Sequence, residues 1–158
     1  MTREHIQYTG LTALPSSRTG RSHMARRVWR KTIKPLRPAK PTDAERAVIV
    51  AACDAFIRNT LKPRFLPIIM PSEFNYPVDI FGNWRAGRYR FLQRYRSGSR
   101  QTIVEEFDRP FARIDFMAAN NFDIHWMRHN DQWWPLYRGK TLDEALALLI
   151  ENGVLHPL

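Results

Sequence analysis

A single cysteine, Cys53, excludes a disulfide framework and any multi-cysteine metal site, and it is compatible with a reducing compartment. No apolar run approaches the roughly 18 residues that a bilayer-crossing helix needs, so the chain is not read as a membrane protein. No apolar core of about 7–15 residues lies near the N-terminus, which argues against a secretory signal. Gly-rich phosphate loops, nucleophile elbows and paired-carboxylate motifs are also missing, so no catalytic motif points to an enzyme and no cofactor is called for. Acid is scarce at one end of the chain. Residues 1–42 contain ten Lys and Arg against one acid, Glu4, a net +9, whereas the other 116 residues contain 15 basic and 14 acidic side chains.

What is present is enough for one packed core. Of 158 residues, 44% are hydrophobic and 12% aromatic, which argues against a wholly disordered chain and for one domain. We read residues 1–41 as a basic, proline-containing flexible arm and 42–158 as a single α+β domain. Pro35, Pro38 and Pro41 recur every three residues, a spacing that forbids helix and favours an extended, polyproline-like course.

The arm has three competing uses. Arg26, Arg27, Arg30, Lys31 and Lys34 form a basic, acid-free cluster of the kind that neutralises phosphates of RNA or DNA. An Arg-rich, Ser- and Thr-containing leader also describes an organelle transit peptide. The third use is a solvated linker, with residues 1–23 a mis-assigned start ahead of Met24 or a vector-derived leader.

Thr42-Asp43-Ala44-Glu45 is a capping box and opens a helix expected from about Asp43 to Thr60. Val48, Ala51, Ala52, Ala55 and Phe56 recur at three and four and form its expected buried stripe, with Ile49 and Cys53 on the flank. Cys53 on a small apolar slot is the plainer alternative to a nucleophile, which would need a base and an electropositive pocket. Pro63, Pro67 and Pro71 should break regular structure between Leu61 and Ser72. That loop still carries Phe65, Leu66, Ile68, Ile69 and Met70, so it is either a lid on the core edge or a contact for a protein partner.

From Glu73 to Tyr137 alternation broken by turn residues predicts an antiparallel meander of about five strands, at 74–81, 88–96, 102–107 continuing into 111–117, 122–128 and 132–137. The turns between them are Gly82 to Gly87, Ser97 to Arg100, Ala118 to Asn121 and His129 to Asp131. A second capping box, Thr141-Leu142-Asp143-Glu144, opens a C-terminal helix that Asn152-Gly153 ends. The fold class is therefore α+β: an N-terminal helix, the meander sheet and a C-terminal helix, with one sheet face under the helices and the other wet. Pro135 cannot donate to a ladder, which places the last strand at an edge or on a bulge.

Parity assigns the faces. Tyr89, Phe91, Gln93 and Tyr95 share one side of the second strand; Arg88, Arg90, Arg94 and Arg96 share the other with Leu92. Matching across hairpins pairs Ile114 with Ile124, Phe116 with Phe122 and Trp126 with Trp134 as core. It leaves Phe111, Arg113, Asp115, Asp123, His125, Met127, Trp133 and Tyr137 on the opposite surface. The register at Gly98 decides whether the four arginines share that surface. If they do, guanidinium groups could hold phosphates while aromatic rings stack on bases. The alternative is a cross-strand salt ladder with Glu105, Glu106, Asp108, Asp115 and Asp123. An enzyme would have to be built from His125, His129, Asp115, Asp123, Asp131 and Arg113, with His125 as acid or base. His125 and His129 span a strand end and a turn, so their i, i+4 spacing does not imply the shared metal face it would on a helix, and His156 in the C-terminal tail is read as packed or solvated.

The run Arg109 to Phe116 holds Ala112-x-Ile114-x-Phe116. The run Phe122 to Tyr137 holds Trp126, His129, Asp131, Trp134 and Tyr137 in the spacing W-x-x-[HDR]-x-[DN]-x-x-W-x-x-Y, ahead of the helix from Leu142. Across about residues 43–155 this resembles a family of small bacterial domains of unknown function, and it departs from their pattern at Trp133-Trp134-Pro135 and in the basic arm. The resemblance implies the helix, meander and helix fold and a bacterial, cytoplasmic origin; it implies no activity. The reading is thus a small cytoplasmic binding or accessory protein that contacts nucleic acid through the arm and an Arg/aromatic sheet face. The alternatives are a small hydrolase or nuclease-like enzyme using His125 and nearby acids, and a protein-protein adaptor using the 61–71 loop.

Overall fold

A computed structural model of the chain describes residues 37–98 and 105–157. The cluster Arg26, Arg27, Arg30, Lys31 and Lys34 lies outside the described residues, as do positions 99–104 at the start of the expected third strand.

Both capping boxes form. Thr42 accepts from the Glu45 backbone N–H (3.2 Å) while Glu45 accepts from the Thr42 N–H (2.8 Å), and the helix α1 runs Asp43–Phe56. Those Thr42 donors also hold the Glu45 carboxyl below its ordinary range. Thr141 and Glu144 repeat the arrangement at the start of α3, Leu142–Glu151.

The buried stripe of α1 is not the expected one. Ile49, Cys53, Ile57 and Leu61 are buried at a spacing of four, whereas Val48 is 66% exposed. Four residues advance an α-helix about 40° past a full turn, so such a stripe drifts round the helix. A π turn at Ile57–Leu61 widens the helix and returns Leu61 to the face of Ile57. The same turn carries the helix through Pro63 into α2, Lys62–Phe65, so helix extends to Phe65 rather than ending at about Thr60 as expected. Cys53 is fully buried; burial, with Asp54 beside it, pushes its thiol pKa up, so it stays protonated and inert.

Five antiparallel strands form one sheet in sequence order: β1 Tyr76–Arg85, β2 Arg88–Arg96, β3 Glu106–Ala118, β4 Asn121–Met127 and β5 Trp133–Lys140. The expected meander is correct, but the expected first turn is too wide. β1 continues through Gly82 to Arg85, and the hairpin is the two-residue turn Ala86-Gly87, with φ of 51° and 74° at the two positions. Gly82 lies beneath the Tyr89 ring, where any Cβ would overlap the phenol. The Tyr89 hydroxyl donates to Asp54 of α1, tying helix to sheet.

Ile80, Tyr89, Phe91, Ala112, Ile114, Phe116, Phe122 and Ile124 face the helices and form the core with Ile49, Ile57, Leu61, Ala145, Leu149 and Leu155. Ile114 pairs with Ile124 and Phe116 with Phe122, as parity predicts. Two bulges move residues that parity misplaces. Between Phe91 and Leu92 the register of β2 on β3 skips one residue, which turns Phe111 inward; it is 6% exposed and its ring lies 6.2 Å from Phe91. Between Ile124 and His125 the register of β4 on β5 skips Leu136, so Tyr137 pairs with Ile124 on the helix side, where its hydroxyl accepts from the Asn152 side-chain amide (2.8 Å). Pro135 lies beside this irregularity on an edge strand, meeting both conditions inferred for it. Trp134 pairs with Trp126 but is 53% exposed, because β5 is an edge strand; the Arg128 guanidinium lies 5.4 Å from its ring.

At the N-terminal border, the Ala39 N–H donates to the Phe116 carbonyl (2.8 Å) and Ala39 packs against the core. No helix among the described residues is long and apolar enough to cross a membrane.

Candidate functional site

Because both long helices pack on one face of the sheet, the other face is open, and the register settles which side chains share it. Arg88 pairs with Asp115, Arg90 with Arg113, Arg94 with Asp108 and Arg96 with Glu106. Across the next hairpin, Arg113 pairs with His125 and Asp115 with Asp123. All four arginines of β2 therefore lie on the surface that carries Arg113, Asp115 and His125.

The two ends of this surface differ. Toward Glu106 the face is a salt ladder. Arg94 donates to Asp108 from Nε (2.8 Å) and Nη2 (3.2 Å), and Arg96 donates to Glu106 from Nη2 (2.6 Å). These carboxylates raise both guanidinium pKa values, through the hydrogen bonds first. The pairs are well exposed, so each contributes little to stability.

Toward the Ala86-Gly87 turn, one carboxylate serves several cations. Asp115 is 4% exposed. Arg113 Nη2 donates to its Oδ2 at 3.1 Å, Arg113 Nε stands 2.7 Å from Oδ1, and Arg88 Nε donates to Oδ2 at 3.4 Å. His125 Nδ1 lies 3.8 Å from the same Oδ2 and makes no hydrogen bond. Arg90, between Asn83 and Arg113 in its row, has no acidic partner among the described residues, and its Nε is buried without a hydrogen bond. Arg85 is exposed and pairs with Arg88, adding a further positive group at the same end.

Burial lowers the His125 pKa, with Arg113 and Arg88 assisting and Asp115 and Asp123 opposing, so the ring is neutral near pH 7. Burial likewise lowers the Arg113 pKa, against the pull of Asp115. Asp115 offsets one of the three arginines around it and leaves a positive surplus. Aromatic surface adjoins these groups: the Arg113 guanidinium lies 4.6 Å from the Trp133 ring, and Arg94 lies 4.8 Å from Phe81. Fixed guanidinium groups beside half-buried rings can hold phosphate oxygens and support stacking.

The residues considered for an enzyme do not converge. Asp115, Arg113 and His125 come together, whereas Asp123 accepts from the Gly139 N–H and Asp131 pairs with Arg109 at 3.4 Å. His129 is exposed, and His156 Nε2 is bound to the Ile150 carbonyl (2.9 Å). No group of three or more His, Cys, Asp or Glu among the described residues could hold a metal. In the 61–71 segment Leu66 packs against the core, while Ile68, Ile69 and Met70 are exposed. Sequence reasoning missed Arg85, because it lay in an expected turn, and Phe74, which is 80% exposed ahead of β1.

The fold is thus an α+β domain whose antiparallel meander carries a guanidinium cluster on its open face. The chain belongs to the family described as Domain of unknown function (DUF3024), which matches residues 41–156. No curated protein and no solved structure matches the chain.

Proposed function

We propose that this protein is a nucleic-acid-binding accessory protein that holds a single strand against the open face of its sheet. One observation carries the reading: Arg88 and Arg113 both engage the carboxylate of Asp115, while Arg90 beside them has no acidic partner among the described residues, leaving a positive surplus near Trp133. A phosphodiester supplies negative charge to Arg90, and neighbouring bases find ring surface on which to stack. The net +9 of residues 1–42 supplies further phosphate contacts, with Arg26, Arg27, Arg30, Lys31 and Lys34 as the candidates. A bacterial cytoplasmic setting belongs to the same proposal.

The test is fluorescence anisotropy of single- and double-stranded oligonucleotides across a salt series. Alanine at Arg85 and Arg90 should weaken single-strand binding and reduce the salt slope by about 0.7 per lost phosphate contact. Alanine at Arg26, Arg27, Arg30 and Lys31 should weaken binding to both forms without loss of fold. Unchanged binding in both variants, or none by the parent at low salt, refutes the reading. Oligonucleotide cleavage that disappears in His125→Ala would replace it with the nuclease-like alternative, and a protein captured through Ile68 and Met70 would replace it with the adaptor.

A further inference from the structure

On the helix side of the sheet, beyond the end of the core, lies a cavity of about 190 Å³ between the sheet and the C-terminal turn. Its walls include Phe111 and Trp126, and Gln93, Arg109, Arg128 and His129 also line it. Among the described residues no carboxylate lines this cavity. Gln93 is 2% exposed and accepts from the Tyr95 hydroxyl (2.7 Å). Trp126 Nε1 is buried without a hydrogen-bond partner among the described residues. Buried polar groups are ordinarily satisfied, so an unspent indole N–H at this cavity points to a ligand that accepts hydrogen bonds. Among the described residues Arg109 is held by an exposed pair to Asp131 and Arg128 by the Trp134 ring, and neither restrains its guanidinium from turning toward an anion.

Size and chemistry narrow the occupant. The volume exceeds the roughly 150 Å³ that accommodates benzene and is well below the roughly 300 Å³ at which drug-sized pockets begin. We propose that this cavity binds a small organic carboxylate of one-ring size, its apolar body against Phe111 and Trp126 and its carboxylate toward Arg109 and Arg128. The site is independent of the nucleic-acid reading, because it lies on the opposite face of the sheet from Arg90.

The probe is sodium benzoate, read by the indole N–H peak of Trp126 in a two-dimensional nitrogen–proton NMR spectrum of the full chain. Trp126→Phe assigns that peak among the five tryptophans. Benzoate should shift it saturably with a Kd of about 1 mM or tighter. Benzyl alcohol and acetate, which each lack one half of the pharmacophore, should bind at least about tenfold more weakly. Arg109→Gln with Arg128→Gln should weaken benzoate at least about tenfold while the Trp84 indole peak stays in place, and Arg90→Ala should leave binding unchanged. The proposal is overturned by the absence of a saturable shift up to about 20 mM benzoate. Equal binding of benzyl alcohol, or full binding by the double variant, overturns it as well.

Discussion

Replacing Asp115 with asparagine removes one negative charge and almost no volume, which makes it a direct probe of the arginine cluster. Asp115 is 4% exposed and the Arg113 side chain 11%, so the pair is close to a buried one, and Arg88 is a third exposed. Breaking a fully buried pair costs about 3–5 kcal/mol because the remaining charge is left uncompensated. Asparagine keeps an acceptor oxygen and Arg113 keeps some contact with water, which brings the expected loss to about 2–3 kcal/mol. For a domain of this size that lowers the melting temperature by about 6–12 °C. Asp108→Asn is the internal control: its pair with Arg94 is well exposed on both sides, so its cost should stay under about 1 kcal/mol. The assay is thermal unfolding by circular dichroism at low ionic strength. Adding Arg90→Ala to Asp115→Asn should recover part of the loss, since one positive group leaves the cluster. Sulfate should raise the variant's midpoint more than the parent's, through preferential binding to the folded cluster. A midpoint within about 2 °C of the parent, or an equal sulfate response in both, refutes the charge-surplus argument.

The remaining predictions concern pH and packing. His125 has a folded-state pKa below its unfolded value, so the unfolded chain takes up the proton first and stability is lost as pH falls below about 6.5. His125→Gln should flatten that loss between about pH 7.5 and pH 5.5 in urea-unfolding midpoints, and a slope identical to the parent's would contradict the assignment. Gly82→Ala drives a Cβ into the Tyr89 ring and disturbs the Tyr89 to Asp54 hydrogen bond, so it should cost about 1–3 kcal/mol by denaturant unfolding; a neutral result would mean that Tyr89 is free to move. Phe111→Ala should cost about 3–5 kcal/mol because the bulge places its ring in the core, and a cost below about 1 kcal/mol would restore it to the open face.

Much of the fold is legible in short stretches of chain. The capping boxes at Thr42 and Thr141 locate both helix starts because a cap is a contract between residues three apart. Alternation likewise fixes the meander and the pairing of Ile114 with Ile124, since neighbouring strands joined by short turns inherit their register from the turn. Pro135 announces its edge by the hydrogen bond it cannot make.

What sequence parity misassigns are the places where the period slips. The π turn at Ile57–Leu61 and the bulges beside Phe91 and Ile124 each insert a residue into a regular repeat, and nothing local distinguishes such an insertion from an unbroken one. Phe111 and Tyr137 therefore change faces, and the helix passes through Pro63. The candidate site depends on the same kind of information. Arg90, Arg113 and His125 come from three strands and become neighbours only once two registers are set, while Arg109 and Arg128 meet at a cavity that the C-terminal turn completes. The sequence by itself determined the element types, the two capped helices and the imbalance of charge, all of which follow from residues a few positions apart. Tertiary structure alone decided which arginines find a carboxylate, because that choice is made by packing between segments distant in the chain.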